Sequence, residues 1–170
     1  GLEGGALWIR GISNLNLASN KFINNSANAG GALSLSNIVL SSSLGNSNGG
    51  VIDDTVFISN SARDRGGAII TNSDFILQLQ NTLFDSNTAA NEGGSLLFAG
   101  SAVKNFVDVI NNIRFLRSSE GLTITNTTVV KSQARSGGAI AILSQEVQYM
   151  IKQSTFSNCT AISNGGVIYS

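Results

Sequence analysis

Carboxylates are the first residues in this sequence whose type suits chemistry, because paired acids act as general acid and base or hold Ca²⁺. The acids to weigh are Asp53, Asp54, Asp74, Asp85, Asp108 and Glu120. Asp53 and Asp54 are adjacent and follow Gly50 by three and four residues. The same offsets from Gly31 and Gly67 carry no acid, so no second acid lies in register with the pair. We interpret these carboxylates as solvated corner residues and predict no catalytic residue.

Composition narrows the remaining chemistry. The 170-residue chain has ten basic and ten acidic residues, no histidine and one cysteine. It lacks the residues for histidine-dependent catalysis, a disulfide framework or a Cys/His metal site, so we predict neither a metal nor a cofactor. A net charge of zero, with scattered cations, predicts no nucleic-acid partner. No apolar run approaches the ~20 residues of a membrane span, so we predict no transmembrane segment.

Three local patterns have ordinary structural interpretations. We interpret the charged segment of Arg63, Asp64 and Arg65 as a local ion pair at the surface. Such pairs contribute little to stability. The glycine pairs lack the Lys-Ser/Thr and the helix of a phosphate-binding loop, so we interpret them as turn glycines. Cys159 is expected to be a small buried hydrophobe.

Trp8 and Tyr149 are the aromatic residues that suit stacking against a sugar. Trp8 alternates with Leu7 and Ile9, so a strand would point its indole away from their common face. If the Trp8 side chain points outward, we predict that it lies either in a contact surface or at an edge that a partner covers.

Three N-x-Ser/Thr sequons make Asn24, Asn126 and Asn158 glycosylation candidates if the protein is secreted by a eukaryote. Asn24 and Asn158 take the same place in the repeat described next, two residues after a phenylalanine. Such short sequons also arise by chance in a chain rich in Asn, Ser and Thr.

A repeat of two short motifs must position all of these residues. Gly-Gly followed by a small and an aliphatic residue recurs along the chain, and glycines suit corners that need a positive φ. The predicted turn glycines are Gly5, Gly31, Gly50, Gly67, Gly94, Gly138 and Gly166. A weaker Glu-Gly ends at Gly121.

A Phe-x-x-Asn motif precedes three of the seven glycine pairs, and Phe156 without the asparagine precedes a fourth. Its phenylalanine usually stands nine or ten residues before the last glycine, whereas Phe115 stands only six before Gly121. The predicted stacks comprise Phe22, Phe57, Phe84, Phe115 and Phe156, with Asn25, Asn60 and Asn87 as an amide ladder. The variation in length falls between Gly-Gly and the next aromatic, so we expect extra residues to bulge from one corner.

The residues after each glycine pair alternate with a period of two, as strands do, and no segment has a sustained helical period. Short strands between turn residues, repeated in this way, predict an all-β chain with residues 1–170 in one domain. The predicted fold is a single-stranded right-handed parallel β-helix, a solenoid of about seven coils, with its hand taken from the crossover rule. A β-sandwich is the main competitor, but it gives no reason for repeating Gly-Gly-Ala.

The alternation of the two motifs resembles the repeat of the chlamydial polymorphic outer-membrane proteins, and similar repeats of ciliate surface proteins. The first motif matches at residues 4–7, 30–33, 66–69 and 137–140, and the second at residues 22–25, 57–60 and 84–87. The sequence departs from the pattern at Val51, Ser95, Ser118 and Cys159, and it lacks the C-terminal barrel of the bacterial proteins. The resemblance implies a secreted or cell-surface β-helix, at the outer membrane if bacterial, that serves in adhesion or as a stalk.

Both ends of the chain lie at the same phase of the repeat and show no polar cap. We therefore expect a segment of a longer repeat protein, or units that stack end to end into a fibre. The expected function is structural or adhesive and not enzymatic, with neighbouring coils, end-to-end copies, and host, cell-surface or glycan ligands as partners. A carbohydrate-active or glycan-binding β-helix of the pectin-lyase type is the alternative, and an intracellular scaffold is a third reading.

Overall fold

Short strands of two to six residues, bounded mostly by Gly, Asn, Asp and Ser, make up the structure. The computed structural model describes residues 1–11, 15–36, 49–72, 76–99, 107–110, 113–116, 120–143 and 148–170. These residues form strands and turns and contain no helix.

The strands follow one another in a constant order, four to a coil. The first coil comprises β1 (Leu7–Arg10), β2 (Leu15–Ala18), β3 (Lys21–Ile23) and β4 (Ser26–Ala29). The second comprises β5 (Leu33–Ser36), β6 (Gly49–Asp53), β7 (Val56–Ile58) and β8 (Ser61–Arg65). The third comprises β9 (Ile69–Asn72), β10 (Ile76–Gln80), β11 (Leu83–Asp85) and β12 (Thr88–Ala89).

The fourth coil carries an extra hairpin. It comprises β13 (Leu96–Phe98), the hairpin strands β14 (Val107–Ile110) and β15 (Ile113–Leu116), then β16 (Glu120–Thr125), β17 (Thr128–Val130) and β18 (Gln133–Ser136). The fifth comprises β19 (Ile140–Ile142), β20 (Gln148–Lys152), β21 (Thr155–Ser157) and β22 (Thr160–Asn164), and β23 (Ile168–Tyr169) opens a sixth.

Equivalent strands of successive coils pair in parallel, which produces four sheets along one axis. Sheet 1 contains β1, β5, β9, β13, β19 and β23, and sheet 2 contains β2, β6, β10, β16 and β20. Sheet 3 contains β3, β7, β11, β17 and β21, and sheet 4 contains β4, β8, β12, β18 and β22. This confirms the predicted all-β parallel β-helix; its right hand stays a prediction.

The number of coils differs from the prediction of about seven. Three of the sheets have five strands each, so the described chain makes five complete coils. Gly50 is not a turn glycine, because it lies inside β6 and pairs with Leu15 and Leu77 of the neighbouring coils. Gly121 likewise lies inside β16. The prediction of about seven coils is too high because a Gly-Gly or Glu-Gly dipeptide alone does not distinguish a corner from a strand.

The other six predicted turn glycines lie at the corner between sheets 4 and 1. The first glycine of each pair has a φ of 55° to 64°, a conformation that glycine adopts without the Cβ penalty. The second glycine excludes a side chain for a different reason. A Cβ on Gly67 would overlap the carbonyl oxygen of Gly94 in the next coil, and the same holds for Gly31 against Gly67.

Two further corners of every coil use a single left-handed residue that is not glycine. The five before sheet 3 are Ser19, Asp54, Asn81, Asn126 and Gln153. The five after sheet 3 are Asn24, Ser59, Ser86, Lys131 and Asn158. Their φ angles lie between 45° and 56°, a region that Asn and Asp tolerate better than most residues.

The coils differ mainly at one corner, between sheets 1 and 2. The connections on both sides of sheet 3 always have two residues, such as Asn24 and Asn25 between β3 and β4. The connection between sheets 1 and 2 ranges from residues 73–75 in the third coil to residues 99–119 in the fourth, where it contains the β14–β15 hairpin. The prediction that extra residues leave from one corner is therefore correct.

Inward side chains of sheets 1, 2 and 3 form one continuous core. Its fully buried members include Leu35, Leu79 and Phe98. Thr71 is a polar residue inside it, since it pairs in register with Leu35 and Phe98 and is 0% exposed. Its hydroxyl has no hydrogen-bond partner.

We predict that Gly67→Ala destabilises the fold by about 3 kcal/mol, because the added Cβ overlaps backbone that cannot move without breaking the stack. Gly166→Ala is the matched control, since it has the same place in the motif but nothing lies within 4 Å of its added Cβ. The two urea-unfolding midpoints compare the variants. Equal midpoints for the two variants would show that packing against the next coil does not require glycine at the second position of the pair.

We predict that Thr71→Val stabilises the protein by about 1 kcal/mol, because valine has the same shape and removes a buried hydroxyl that bonds to nothing. Thr82→Val should instead destabilise the protein. Thr82 is 2% exposed and its Oγ1 donates to the carbonyl oxygen of Gln80 at 2.7 Å. Thermal melts of both variants test the difference, and a fall in stability for Thr71→Val would contradict it.

Candidate functional site

A ladder of asparagine side chains runs along the corner between sheets 3 and 4. The backbone N–H and Nδ2 of Asn25 donate to Oδ1 of Asn60, at 3.0 and 2.9 Å. The same two donors of Asn60 reach Oδ1 of Asn87, at 2.9 and 3.0 Å. Nδ2 of Asn60 also donates to the carbonyl oxygen of Phe22, and Nδ2 of Asn87 to that of Phe57, each at 3.0 Å.

The ladder changes chemistry in the fourth and fifth coils. Nδ2 of Asn87 also reaches Oγ of Ser95 at 3.4 Å, and Ser95 Oγ lies 2.6 Å from Ser132 Oγ. In the fifth coil Cys159 occupies the position that asparagine has in the first three coils. It is half-buried and packs against the core, and its thiol donates to the carbonyl oxygen of Val129 at 3.6 Å. The ladder therefore joins the third and fourth coils through hydroxyls where asparagine is missing.

Phenylalanine rings stack beside this ladder. The ring centroids of Phe22 and Phe57 are 4.9 Å apart with planes 8° from parallel, and those of Phe57 and Phe84 are 4.9 Å apart at 6°. In the fourth coil the column continues with Val129, which pairs with Phe84 on one side and Phe156 on the other.

The prediction that Phe115 belongs to this stack is wrong. Phe115 lies in β15, which pairs in an antiparallel hairpin with β14, opposite Asp108. The hairpin inserts between sheets 1 and 2, so the six-residue spacing to Gly121 reflects an insertion and not a corner. Val129 takes the place in the column instead.

A second polar ladder, formed by residues outside the two repeat motifs, runs along the corner between sheets 2 and 3. Each hydroxyl donates to the carbonyl oxygen two residues earlier: Thr55 to Asp53 at 2.8 Å, Thr127 to Thr125 at 3.0 Å and Ser154 to Lys152 at 2.8 Å. The signal is present in the sequence, because a Thr, Ser or Asn always stands two residues before the core residue of sheet 3.

The candidate carboxylates are held by neutral donors. Ser19 Oγ donates to Asp54 Oδ2 at 2.8 Å, Asn81 Nδ2 to Asp53 Oδ1 at 2.8 Å, and Ser86 Oγ to Asp85 Oδ1 at 2.7 Å. Asp74 lies outside the described residues, and only the backbone of Asp108 and Glu120 is described. Within the described part of the chain, no three His, Cys, Asp or Glu side chains gather as metal ligands would.

The predicted ion pair around Arg65 extends to the next coil. Arg65 Nε lies 2.7 Å from Glu92 Oε2 and 3.6 Å from Asp64 Oδ1. The Nε–H is not aligned with the Glu92 oxygen, which accepts no hydrogen bond. Because the Arg65 side chain is 46% exposed, solvent screens the pair and its contribution to stability is small.

The three sequon asparagines all lie exposed at left-handed corners. Asn24 and Asn158 follow sheet 3 in the first and fifth coils, on the same edge of the rod, whereas Asn126 precedes sheet 3 in the fourth coil. Asn126 Nδ2 donates to Asn81 Oδ1 at 2.7 Å. Each side chain therefore projects from a bend and not from a sheet face.

Five large apolar side chains are exposed among the described residues: Leu2, Trp8, Ile23, Tyr149 and Ile162. Trp8 is 54% exposed and Tyr149 46%. Trp8 points outward from sheet 1, as its alternation with Leu7 and Ile9 predicts. Nowhere in the described ranges is there a helix with the length and apolarity that a membrane crossing requires.

Comparison with known proteins yields no match to a family model, a curated protein or a solved structure. The residues and contacts of the chain divide the described rod into a buried scaffold of ladders and a solvent-exposed surface that includes the corner asparagines and Trp8.

We predict that Asn60→Ala destabilises the protein by about 3 kcal/mol, because it removes a side chain that is 0% exposed, leaves the Asn25 N–H and the Phe22 carbonyl oxygen without these partners, and removes one of the two donors to Asn87 Oδ1. Asn25→Ala, at the half-buried end of the ladder, should cost only about 1 kcal/mol. Urea titrations followed by far-UV circular dichroism measure both. Similar costs at the two positions would contradict a ladder whose strength depends on burial.

Proposed function

We propose that this chain is a non-catalytic structural or adhesive β-helix of the cell surface or extracellular space, acting as a segment of a stalk or fibre. The observation that carries the proposal is the continuous stack of buried ladders along the axis. Asn60 bonds to the coils on both sides of it, and Phe57 stacks on the rings above and below. These hydrogen bonds and ring contacts hold neighbouring coils in a fixed register, which favours a stiff rod over a flexible chain.

Half-buried core residues of the outermost described coils are the places where the proposed neighbouring coils or copies would pack. Leu7, Ile9 and Phe22 in the first coil, and Phe156 and Ile168 near the last, pack against the core but stay partly exposed. Further coils in register, from the same chain or from another copy, would bury them and would pair the open strand edges. Neighbouring coils and end-to-end copies are thus the proposed structural partners.

Placement of the sequons supports the extracellular part of the proposal. Asn24, Asn126 and Asn158 are exposed at bends, where a bulky glycan meets no sheet face. The resemblance of the repeat to chlamydial and ciliate surface proteins favours the same location. We propose host, cell-surface or glycan ligands for the adhesive role.

The alternative, a glycan-binding β-helix, is favoured by one observation. Trp8 is a large aromatic residue held open on a sheet face that is otherwise covered. The carboxylates favour a carbohydrate-active enzyme less, since Asp53, Asp54 and Asp85 each accept a hydrogen bond from a neutral side chain and not from a partner acid.

Glycopeptide mapping of the natural protein tests the proposed location. We predict sugar on at least one of Asn24, Asn126 and Asn158, because all three project from exposed corners. Replacing the sequon hydroxyls, as in Ser26→Ala and Thr160→Ala, should remove the glycan at the matching asparagine and leave the others. A natural protein recovered from the cell interior with no sugar on any of the three asparagines would overturn the surface proposal.

A further inference from the structure

Two arginine side chains are exposed on the outer face of sheet 4, away from the first and last coils. Arg63 lies in β8 of the second coil and Arg135 in β18 of the fourth, and the alanine before each is buried. Because side chains alternate along a strand, both arginines point to solvent. Ala90, in the third coil, is exposed between them and contributes only a methyl group. We call Arg63, Ala90 and Arg135 the arginine face.

Neither guanidinium of the arginine face is paired with a described residue. The ion pairs of the described side chains join Arg65 to Glu92 and Asp64, which lie on the same side of the rod. Arg63 and Arg135 form no ion pair or side-chain hydrogen bond within the described ranges. Their positive charges are therefore open to a ligand, whereas the neighbouring acids already face Arg65.

Negative charge collects at a different corner of the same chain. Asp53 ends β6, and Asp54 follows it at the left-handed corner between sheets 2 and 3. Asp53 accepts a hydrogen bond from Asn81 and Asp54 from Ser19, which are both neutral. Lys21 begins β3 in the first coil but forms no ion pair with either acid. We call Asp53 and Asp54, which no described cation pairs, the acidic corner.

The spacing of the arginine face suits two adjacent carboxylates. Arg63 and Arg135 lie two strands apart, which is about 10 Å at the usual strand spacing. Their long side chains can converge over Ala90, and a guanidinium binds carboxylate oxygens through paired hydrogen bonds. Asp53 and Asp54 are neighbours in the sequence and project from a bend, so a narrow gap between two arginines admits them.

We propose that copies of this chain associate side by side, with the acidic corner of one copy between the two arginines of the next. Sheet 3 separates the two surfaces on each rod, so the contact joins unlike surfaces and leaves one of each free on every pair. Such a heterologous contact continues from copy to copy. The inference goes beyond the proposed function, whose copies meet end to end, and its contacts lie in interior coils.

Charge complementarity favours a second copy over other partners. A nucleic acid is disfavoured, because the net charge of the chain is zero and the arginine face carries no aromatic ring on which a base would stack. An anionic polysaccharide would pair with the arginines but would leave the acidic corner without a partner. A second copy satisfies both surfaces at once.

Sedimentation equilibrium of the full 170-residue chain tests the proposal. At an ionic strength of about 0.01 M, where the Debye length is about 30 Å, we expect a dissociation constant on the order of 1 mM or tighter, as for a small polar contact. At about 1 M, where the Debye length is about 3 Å, association should weaken at least about tenfold. A chain that stays monomeric at low ionic strength would overturn the proposal, as would association that salt leaves unchanged.

Charge-reversal variants locate the contact. Arg63→Glu with Arg135→Glu, and separately Asp53→Lys with Asp54→Lys, should each weaken association at least about tenfold, because like charges then face each other. The variant with all four changes has opposite charges again and a net charge of zero, so it should recover association. Lysine fits the corner of Asp54, since Lys131 has the same left-handed conformation. A fourfold variant that folds but stays monomeric would overturn the proposal.

Two single substitutions are matched controls. Lys152→Glu makes the same change of charge as Arg135→Glu at an exposed residue of sheet 2, and it should leave association unchanged. Asp85→Asn is the control for Asp54→Asn, because each carboxylate accepts one serine hydroxyl and Asp85 lies on sheet 3. Equal effects within either pair would contradict the assigned surfaces.

Far-UV circular dichroism and the melting temperature of each variant show whether the fold is kept. Dextran sulfate that binds the arginine face of a chain with no self-association would assign this face to an anionic glycan and overturn the proposal. The stalk proposal has a separate readout in the glycopeptide map. A glycosylated chain that does not associate at low ionic strength would therefore refute this inference alone.

Discussion

Strand spacing in the parallel stack is the constraint on which the rest of the structure depends. Neighbouring strands lie about 4.8 Å apart, so every residue sits directly over its equivalent in the next coil. Equivalent residues therefore contact each other. Phe22 lies on Phe57 at a ring distance of 4.9 Å, and Asn60 donates to Asn87 through its backbone N–H and Nδ2, the same two groups that Asn25 uses to donate to Asn60. At Gly67 the spacing leaves no room for a Cβ beneath the carbonyl of Gly94.

Buried polar side chains are stable in this rod because each coil supplies the partners that the next one needs. An asparagine that is 0% exposed would be costly if isolated, yet Asn60 and Asn87 donate to carbonyl oxygens of the preceding coil and accept from its donors. Thr71 is a buried polar residue that lies outside these ladders. Its hydroxyl lies in an apolar column and has no hydrogen-bond partner, which is unfavourable for stability. The ladders thus supply specificity of register as well as stability.

The repeat confines large variation in chain length to one corner of each coil. Three corners of each coil use left-handed residues and the two beside sheet 3 keep connections of two residues, whereas the corner between sheets 1 and 2 absorbs the largest changes of length. Individual surface features, such as Trp8 and the sequon asparagines, can then differ from coil to coil without disturbing the core. A rod of this kind presents surface groups at set heights along its axis, which is what the proposed stalk or adhesive surface requires.

The sequence by itself determined the fold class, six of the turn glycines and the members of the Phe22 and Asn25 columns in the first three coils, because motif spacing repeats wherever coils stack. It did not determine the number of coils or the place of Phe115, since a dipeptide such as that at Gly50 reads the same in a strand and at a corner. Only the tertiary structure decided these points, through pairing between residues far apart in the chain. It also decided that Ile70 and Leu97 are covered while Trp8 is open, because alternation gives the face of a side chain but not what lies over it.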